Sequence, residues 1–110
     1  MLDWLLGKRG GDGLHATTLA ERLAAPEAPC LLDVREPHEW AEGHVAGALH
    51  IPLGQLPTRW QELPTGRPVA VICRSGARSA RATAFLRGQG LDAHNVEGGM
   101  LAWSGPVERG

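Results

Sequence analysis

Cysteine is scarce in this sequence: two residues in 110, Cys30 and Cys73, with no paired spacing between them. That excludes a disulfide framework and favours a reducing compartment, the cytoplasm, where a thiol can stay reactive. Excess charge is missing too. The formal charge is −1 and the isoelectric point is near 6.5, so there is no electrostatic footprint for nucleic acid or for an acidic membrane surface. Long apolar runs are absent, and nothing approaches the ~20 residues of a membrane span. Internal repeats and low-complexity tracts are lacking as well. What is present, 43% apolar residues over the length of one domain, suffices for a single modest core.

The opening "MLDWLLGKRGGDG" has too short an apolar stretch for a signal peptide, and Asp3 interrupts it. Residues 1–13 are expected to form a flexible or loosely docked tail, with "GKRGGDG" as its joint. The alternative is a docking turn built on Trp4, Leu5 and Leu6. The domain proper is expected over 14–110.

From there strands and helices alternate. "TTLAERLAAP" reads as a helix in which Thr18 and Glu21 have capping-box spacing and Pro26 follows the end. "PCLLDVR" reads as a strand buried on both faces. "EPHEWAEG" fits a short helix with Pro37 in its first turn and Gly43 as its stop. "ALHIPL" reads as a second strand. Leu56, Trp60 and Leu63 recur at i, i+4 and i+7 in a helix that Pro57 opens. "VAVIC" is the clearest strand, and "ARSARATAFLRGQG" the clearest helix, with Ala82, Phe85 and Leu86 on one face. "AHNV" supplies the last strand, "EGG" a turn and "MLAW" a terminal helical turn.

This order implies an α/β fold of parallel strands joined by right-handed crossovers and covered on both faces. In such sheets the reactive crevice lies beyond the carboxyl ends of the strands. Cys73, the Asp33–Arg35 pair and the "EGG" turn all fall at such ends. If their strands are parallel neighbours, Cys30 and Cys73 stand at opposite ends of the sheet, four or five residues apart at ~3.3 Å each. A disulfide needs Cα atoms within ~7 Å, so none is expected.

"CRSGARS" is the stretch that carries chemistry. A strand that turns straight into a helix leaves the first helical N–H groups without partners. Gly76 permits a positive φ, so successive amides can curl into a nest around the Cys73 sulfur. Those dipoles, together with Arg74 and Arg78, favour negative charge and lower a thiol that ordinarily titrates near ~8.5. Cys73 is therefore the candidate nucleophile, and Cys30 a small buried hydrophobe. Ser75 and Ser79 are expected to serve as loop and cap hydrogen-bonders. His15, His38, His50 and His94 lack metal-ligand spacing and are expected to be solvated or packed. Trp40, Trp60 and Trp103 are expected to pack.

The loop "CRSGARS" resembles the active-site loop of single-domain rhodaneses, sulfurtransferases that carry sulfur as a cysteine persulfide. "LLDVREPHEWAEGHVAGALHIPL" is similar to that family's amino-terminal signature and "NVEGGMLAW" to its carboxyl-terminal one, so the likeness runs over about residues 14–104. It implies a three-layer α/β/α fold with a central parallel sheet of about five short strands. It implies that Cys73 takes the sulfane sulfur of a small anionic donor such as thiosulfate. Amides of Arg74, Ser75, Gly76, Ala77 and Arg78 would then hold the persulfide, and cyanide or a cellular thiol would remove the sulfur. No metal or organic cofactor is implied. Asp33, Arg35, Glu39 and His44 fall in the first signature, with structural roles expected: Arg35 pairing with Glu39 or Asp33, and His44 tying the following turn.

Three rival readings accompany this one. Cysteine-dependent phosphatases and arsenate reductases also cradle a cysteine in amides, but phosphatases generally place five residues between cysteine and arginine. Here four lie between Cys73 and Arg78. A relay passing persulfide between partner proteins fits the same loop. A pure binding module usually lacks the cysteine that this chain keeps.

Overall fold

A strand made of consecutive apolar residues is stable only when both of its faces are covered, and here they are. The computed structural model describes residues 14–110; the tail expected over 1–13 lies outside them. Five parallel strands, β1 (Leu14–His15), β2 (Cys30–Asp33), β3 (Leu49–His50), β4 (Val69–Ile72) and β5 (Ala93–Glu97), form one sheet in the order β1-β5-β4-β2-β3. The helices are α1 (Ala16–Ala24), α2 (Pro37–Glu42), α3 (Leu56–Arg59), α4 (Ala77–Gly88) and α5 (Gly99–Ala102).

Side chains alternate across β4 and sort the core into two clusters. Val69 and Val71 join Leu32, Val34, Leu56 of α3, and Ala82 and Leu86 of α4. Ala70 and Ile72 join Leu31, Val96, and Leu19 of α1 on the opposite face. Each fully buried valine or leucine contributes ~1.5–3 kcal/mol of transfer free energy. The same alternation decides where Cys73 points. Two residues beyond Val71, it falls in the α4-side cluster.

Three local expectations need correction. Helix α1 begins at Ala16, with His15 as its cap: His15 Nδ1 accepts from the Thr17 amide at 3.1 Å. Thr18, expected to start the helix, instead donates its hydroxyl to the His15 carbonyl at 3.0 Å. The cause is β1, whose pairing of Leu14 with Val96 and His15 with Glu97 fixes the chain just upstream. A two-residue strand leaves no periodicity to read. Strand β3 is shorter than "ALHIPL". Ile51 and Leu53 still donate to the carbonyls of Asp33 and Val34 at 3.1 and 3.0 Å, but Pro52 between them has no N–H to continue the ladder. Helix α3 is a single turn flanked by 3₁₀ turns at Leu53–Gln55 and Trp60–Glu62. Its i, i+4, i+7 residues nevertheless reach the core, Leu56 and Leu63 buried and Trp60 packed beside them.

Cys30 pairs in register with Val69, at the amino end of the strand that Cys73 follows, and both thiols are free. Burial pushes the Cys30 thiol up, and Arg67 opposes that in part.

Candidate active site

At the carboxyl edge of the sheet, β4 runs into the loop 73–76 and then directly into α4. Gly76 caps the helix at φ 113°, a left-handed conformation that only glycine adopts without strain. This geometry sends the Gly76 amide back to the Cys73 sulfur at 3.1 Å. Ser79, one turn into α4 and fully buried, donates its hydroxyl to the same sulfur at 3.2 Å.

Two opposing influences set the acidity of Cys73. Burial pushes the thiol up, since the residue is 1% exposed and packed among hydrocarbon on one side. Hydrogen bonds from the Ser79 hydroxyl and from the amides of Ser79, Gly76 and Ser75 pull it down, and they prevail. The thiol therefore lies below its ordinary range, in a form suited to nucleophilic attack.

The loop holds this shape because its carbonyls are fastened on the far side. Met100 N–H donates to the Cys73 carbonyl at 2.9 Å, and Leu101 N–H to the Arg74 carbonyl at 3.0 Å. Gly99, at φ +56°, makes the approach possible: a Cβ there would collide with the carbonyl oxygens of Cys73 and Arg74. Asn95 of β5 donates its Nδ2 to the Gly76 carbonyl at 3.2 Å. The "EGG" turn and the loop, far apart in sequence, thus meet in space as the sheet topology implied.

The remaining residues singled out from the sequence take these places. Arg74, Ser75 and Ala77 are exposed at the loop surface. Arg78 turns its guanidinium to Glu39, donating to both carboxylate oxygens at 2.8 Å. This bond, stronger than the opposing desolvation, holds the Glu39 carboxyl down at about 2 and raises Arg78. Of the two partners expected for Arg35, the structure selects Asp33. Its guanidinium grips both carboxylate oxygens at 2.8–3.1 Å and donates to the Gly43 carbonyl at 2.8 Å. Both partners are buried, at the end of the strand beside β4. His44 is buried: its Nδ1 lies 2.9 Å from the Trp40 carbonyl and its ring stacks on the Trp40 ring. Its backbone exchanges two hydrogen bonds of 2.8 Å with Glu108, which ties down the carboxyl-terminal segment.

Sequence reasoning understated Ser79 and missed Asn95 and Gly99. The hydroxyl of Ser79 reaches the sulfur itself, and its place in the first turn of the helix that follows the loop was the available signal. For Gly99 the doubled glycine after β5 was the clue. Asn95 carried none.

A family model described as a rhodanese-like domain matches residues 15–106. An Allochromatium vinosum protein named as a sulfurtransferase is 41% identical over 92 residues, spanning 83% of this chain and 86% of that protein. The crystal structure of a rhodanese-like domain protein from Staphylococcus aureus superposes with a TM-score of 0.81 at 31% identity, over 88% of this chain and 96% of that one. The crystal structure of thiosulfate sulfurtransferase from Pseudomonas aeruginosa matches with a TM-score of 0.78 at 27% identity, over 89% of this chain but 19% of the larger one.

Proposed function

The chain belongs to the rhodanese-like family, and we propose that it is a sulfurtransferase whose covalent carrier is Cys73. The observation that carries the reading is the thiol on which the amide of Gly76 and the hydroxyl of Ser79 converge at 3.1 and 3.2 Å. In the first half-reaction the Cys73 thiolate attacks the sulfane sulfur of thiosulfate or a persulfide. A new S–S bond forms, the donor S–S bond breaks, and sulfite or the donor thiolate leaves with the electron pair. In the second, cyanide or a thiol attacks the terminal sulfur and returns the electron pair to Cys73, a ping-pong sequence. The protein's own donors stabilise the anion at each stage, and no step calls on a cofactor.

The exposed Arg74, which has no ion-pair partner among the described residues, is the group to attract an anionic donor. Arg78 is occupied by Glu39, so its part is to hold α2 against the loop and to lend positive potential to the sulfur. That occupation also argues against a phosphatase reading, in which the arginine must turn inward to a phosphate. Amides of Arg74, Ala77 and Arg78 enter the cradle when a second sulfur atom extends the nucleophile.

Leu101 favours a second reading, a relay between proteins. Its side chain is 66% exposed, and its amide is bonded to the loop at Arg74. A large, exposed apolar residue whose backbone is fastened to the reactive loop suits a protein donor or acceptor.

The test is intact-mass spectrometry after incubation with thiosulfate and, separately, with a protein persulfide. Gain of one sulfur atom on Cys73, discharged by cyanide, is the expected result, and Cys73→Ser should abolish it. Sulfur uptake retained in Cys73→Ser would overturn the assignment. Faster loading by the protein donor, slowed by Leu101→Ser, would select the relay.

A further inference from the structure

The Gly76 amide can point at the sulfur only while the peptide unit on the other side of Gly76 is held. Its carbonyl receives two hydrogen bonds. One is the helical bond from Ala80 N–H at 3.0 Å, the other is the Asn95 Nδ2 at 3.2 Å. The helical bond fixes the start of α4, whereas Asn95 joins the loop to the sheet. Asn95 stands on β5 in register with Val71 of β4, two residues before the cysteine, so the anchor and the nucleophile share one rigid frame. A Cβ on Gly76 would lie 3.9 Å from Asn95 Nδ2 and 3.6 Å from Gly98 N, ordinary contacts that show how closely β5 flanks the loop.

The other end of the amide makes the point sharper. Asn95 Oδ1 is buried and has no hydrogen-bond partner among the described residues. An unsatisfied buried acceptor is costly, ~1–3 kcal/mol. Turning the amide over would set Oδ1 against the Gly76 carbonyl oxygen, so the observed orientation is the one that keeps the contact to the loop. A leucine of similar size would remove the orphaned acceptor; asparagine earns its place only through Nδ2.

We propose that Asn95 is a positioning residue that sets the reactivity of Cys73: by holding the Gly76 carbonyl it fixes the conformation of Gly76, and so the direction of the Gly76 N–H on the preceding peptide unit, which faces the sulfur. The charges ranged about the sulfur are Arg78, with Glu39 and Glu36 behind it, the exposed Arg74, and the mutually paired Asp33 and Arg35 on the neighbouring strand. Asn95's hydrogen bond goes to the Gly76 carbonyl and to none of these groups, so a substitution there removes no charge and breaks no ion pair, and adds a charge only if it brings its own.

The inference concerns the thiol used in the sulfurtransfer reading, but its test reads ionisation instead of sulfur transfer, so either can fail alone. Iodoacetamide alkylation of Cys73 is followed against pH by intact mass in the full chain and in Asn95→Leu and Asn95→Asp. Near neutral pH, Asn95→Leu should lower the Cys73 thiolate population about fivefold, the scale of one weakened hydrogen bond. Asn95→Asp should lower it further, because its carboxylate opposes both the Gly76 carbonyl and the thiolate. Wild-type pH profiles in both variants, with only thermal stability changed, would reduce Asn95 to a packing role. Should the variants fail to fold, NMR of the unaltered chain decides. The Asn95 side-chain amide and the Gly76 amide should titrate with one midpoint, that of Cys73, and a flat Asn95 signal would overturn the proposal.

Discussion

Replacing Ser79 by alanine isolates one donor of the cradle. The residue is fully buried within α4, and its hydroxyl lies 3.2 Å from the Cys73 sulfur. Alanine keeps the amide, which also bonds the sulfur, and improves helix propensity, so the change removes a single hydrogen bond. A hydrogen bond to a charged acceptor is worth ~1.5–3 kcal/mol, and ~1.4 kcal/mol is a factor of ten. The remaining donors, the amides of Ser75, Gly76 and Ser79, place the loss at the lower end. The thiolate fraction at a fixed pH below its midpoint should therefore fall about tenfold. A less acidic thiol is intrinsically more nucleophilic, with a Brønsted slope of ~0.4–0.5, so alkylation should slow only about threefold. The two numbers should be measured separately, thiolate by its ultraviolet absorbance against pH and reactivity by iodoacetamide with intact-mass readout. Cys30, whose thiol burial pushes up, serves as the slow internal reference. A titration midpoint in Ser79→Ala equal to that of the unaltered chain would refute the claim that the hydroxyl holds the charge.

Other perturbations test the frame around the sulfur. Glu39 has a carboxyl held at about 2 against an ordinary 4.5, chiefly by Arg78. Because its pKa is lowered on folding, its stabilising effect is complete above about 4.5 and is lost as the pH falls through about 2. Glu39→Gln should thus cost about 1 kcal/mol at neutral pH, the pair being partly exposed and screened. Urea unfolding of the two proteins should converge near pH 2, and a gap that persists there would contradict the pairing. Asp33→Asn strands the buried Arg35 guanidinium and should cost ~3–5 kcal/mol in the same assay; a loss below about 1 kcal/mol would show that Asn and the Gly43 carbonyl suffice. Gly99→Ala adds a methyl where the Cys73 and Arg74 carbonyls lie, at a positive φ. It should destabilise by ~2–4 kcal/mol and raise the Cys73 midpoint. A stable Gly99→Ala protein with unchanged acidity would mean that the clamp at Met100 and Leu101 is dispensable.

The fold was legible where a physical rule left a single solution. "VAVIC" has no polar face, so it had to lie in a covered sheet, and the strand–helix alternation required parallel crossovers. The cradle was legible for the same kind of reason: a cysteine at a strand end, a glycine three residues on, and a helix following immediately. What escaped depended on distant partners. Strand β1 exists because β5 is there to receive Leu14 and His15, and nothing within those two residues announces it. Arg35 had two carboxylates within reach on paper, and three-dimensional packing chose between them. Asn95 was invisible because its importance lies in a carbonyl 19 positions away.

Burial and acidity usually pull a cysteine in opposite directions, and this domain resolves them by dividing the space around one atom. The strand delivers Cys73 into the hydrocarbon cluster of Leu32, Val71 and Leu86, where an ion alone would be unwelcome. The turn that follows then supplies N–H and O–H groups from the other side. Neither half would serve by itself. In water the same donors would be diluted by solvent competition, and without donors the apolar wall would keep the thiol protonated. In a medium of low dielectric each hydrogen bond acts more strongly on the charge, so the burial that opposes ionisation also amplifies what supports it. The sheet-side fasteners at Asn95, Met100 and Leu101 belong to that balance. They keep the loop from relaxing outward and exchanging its directed amides for water.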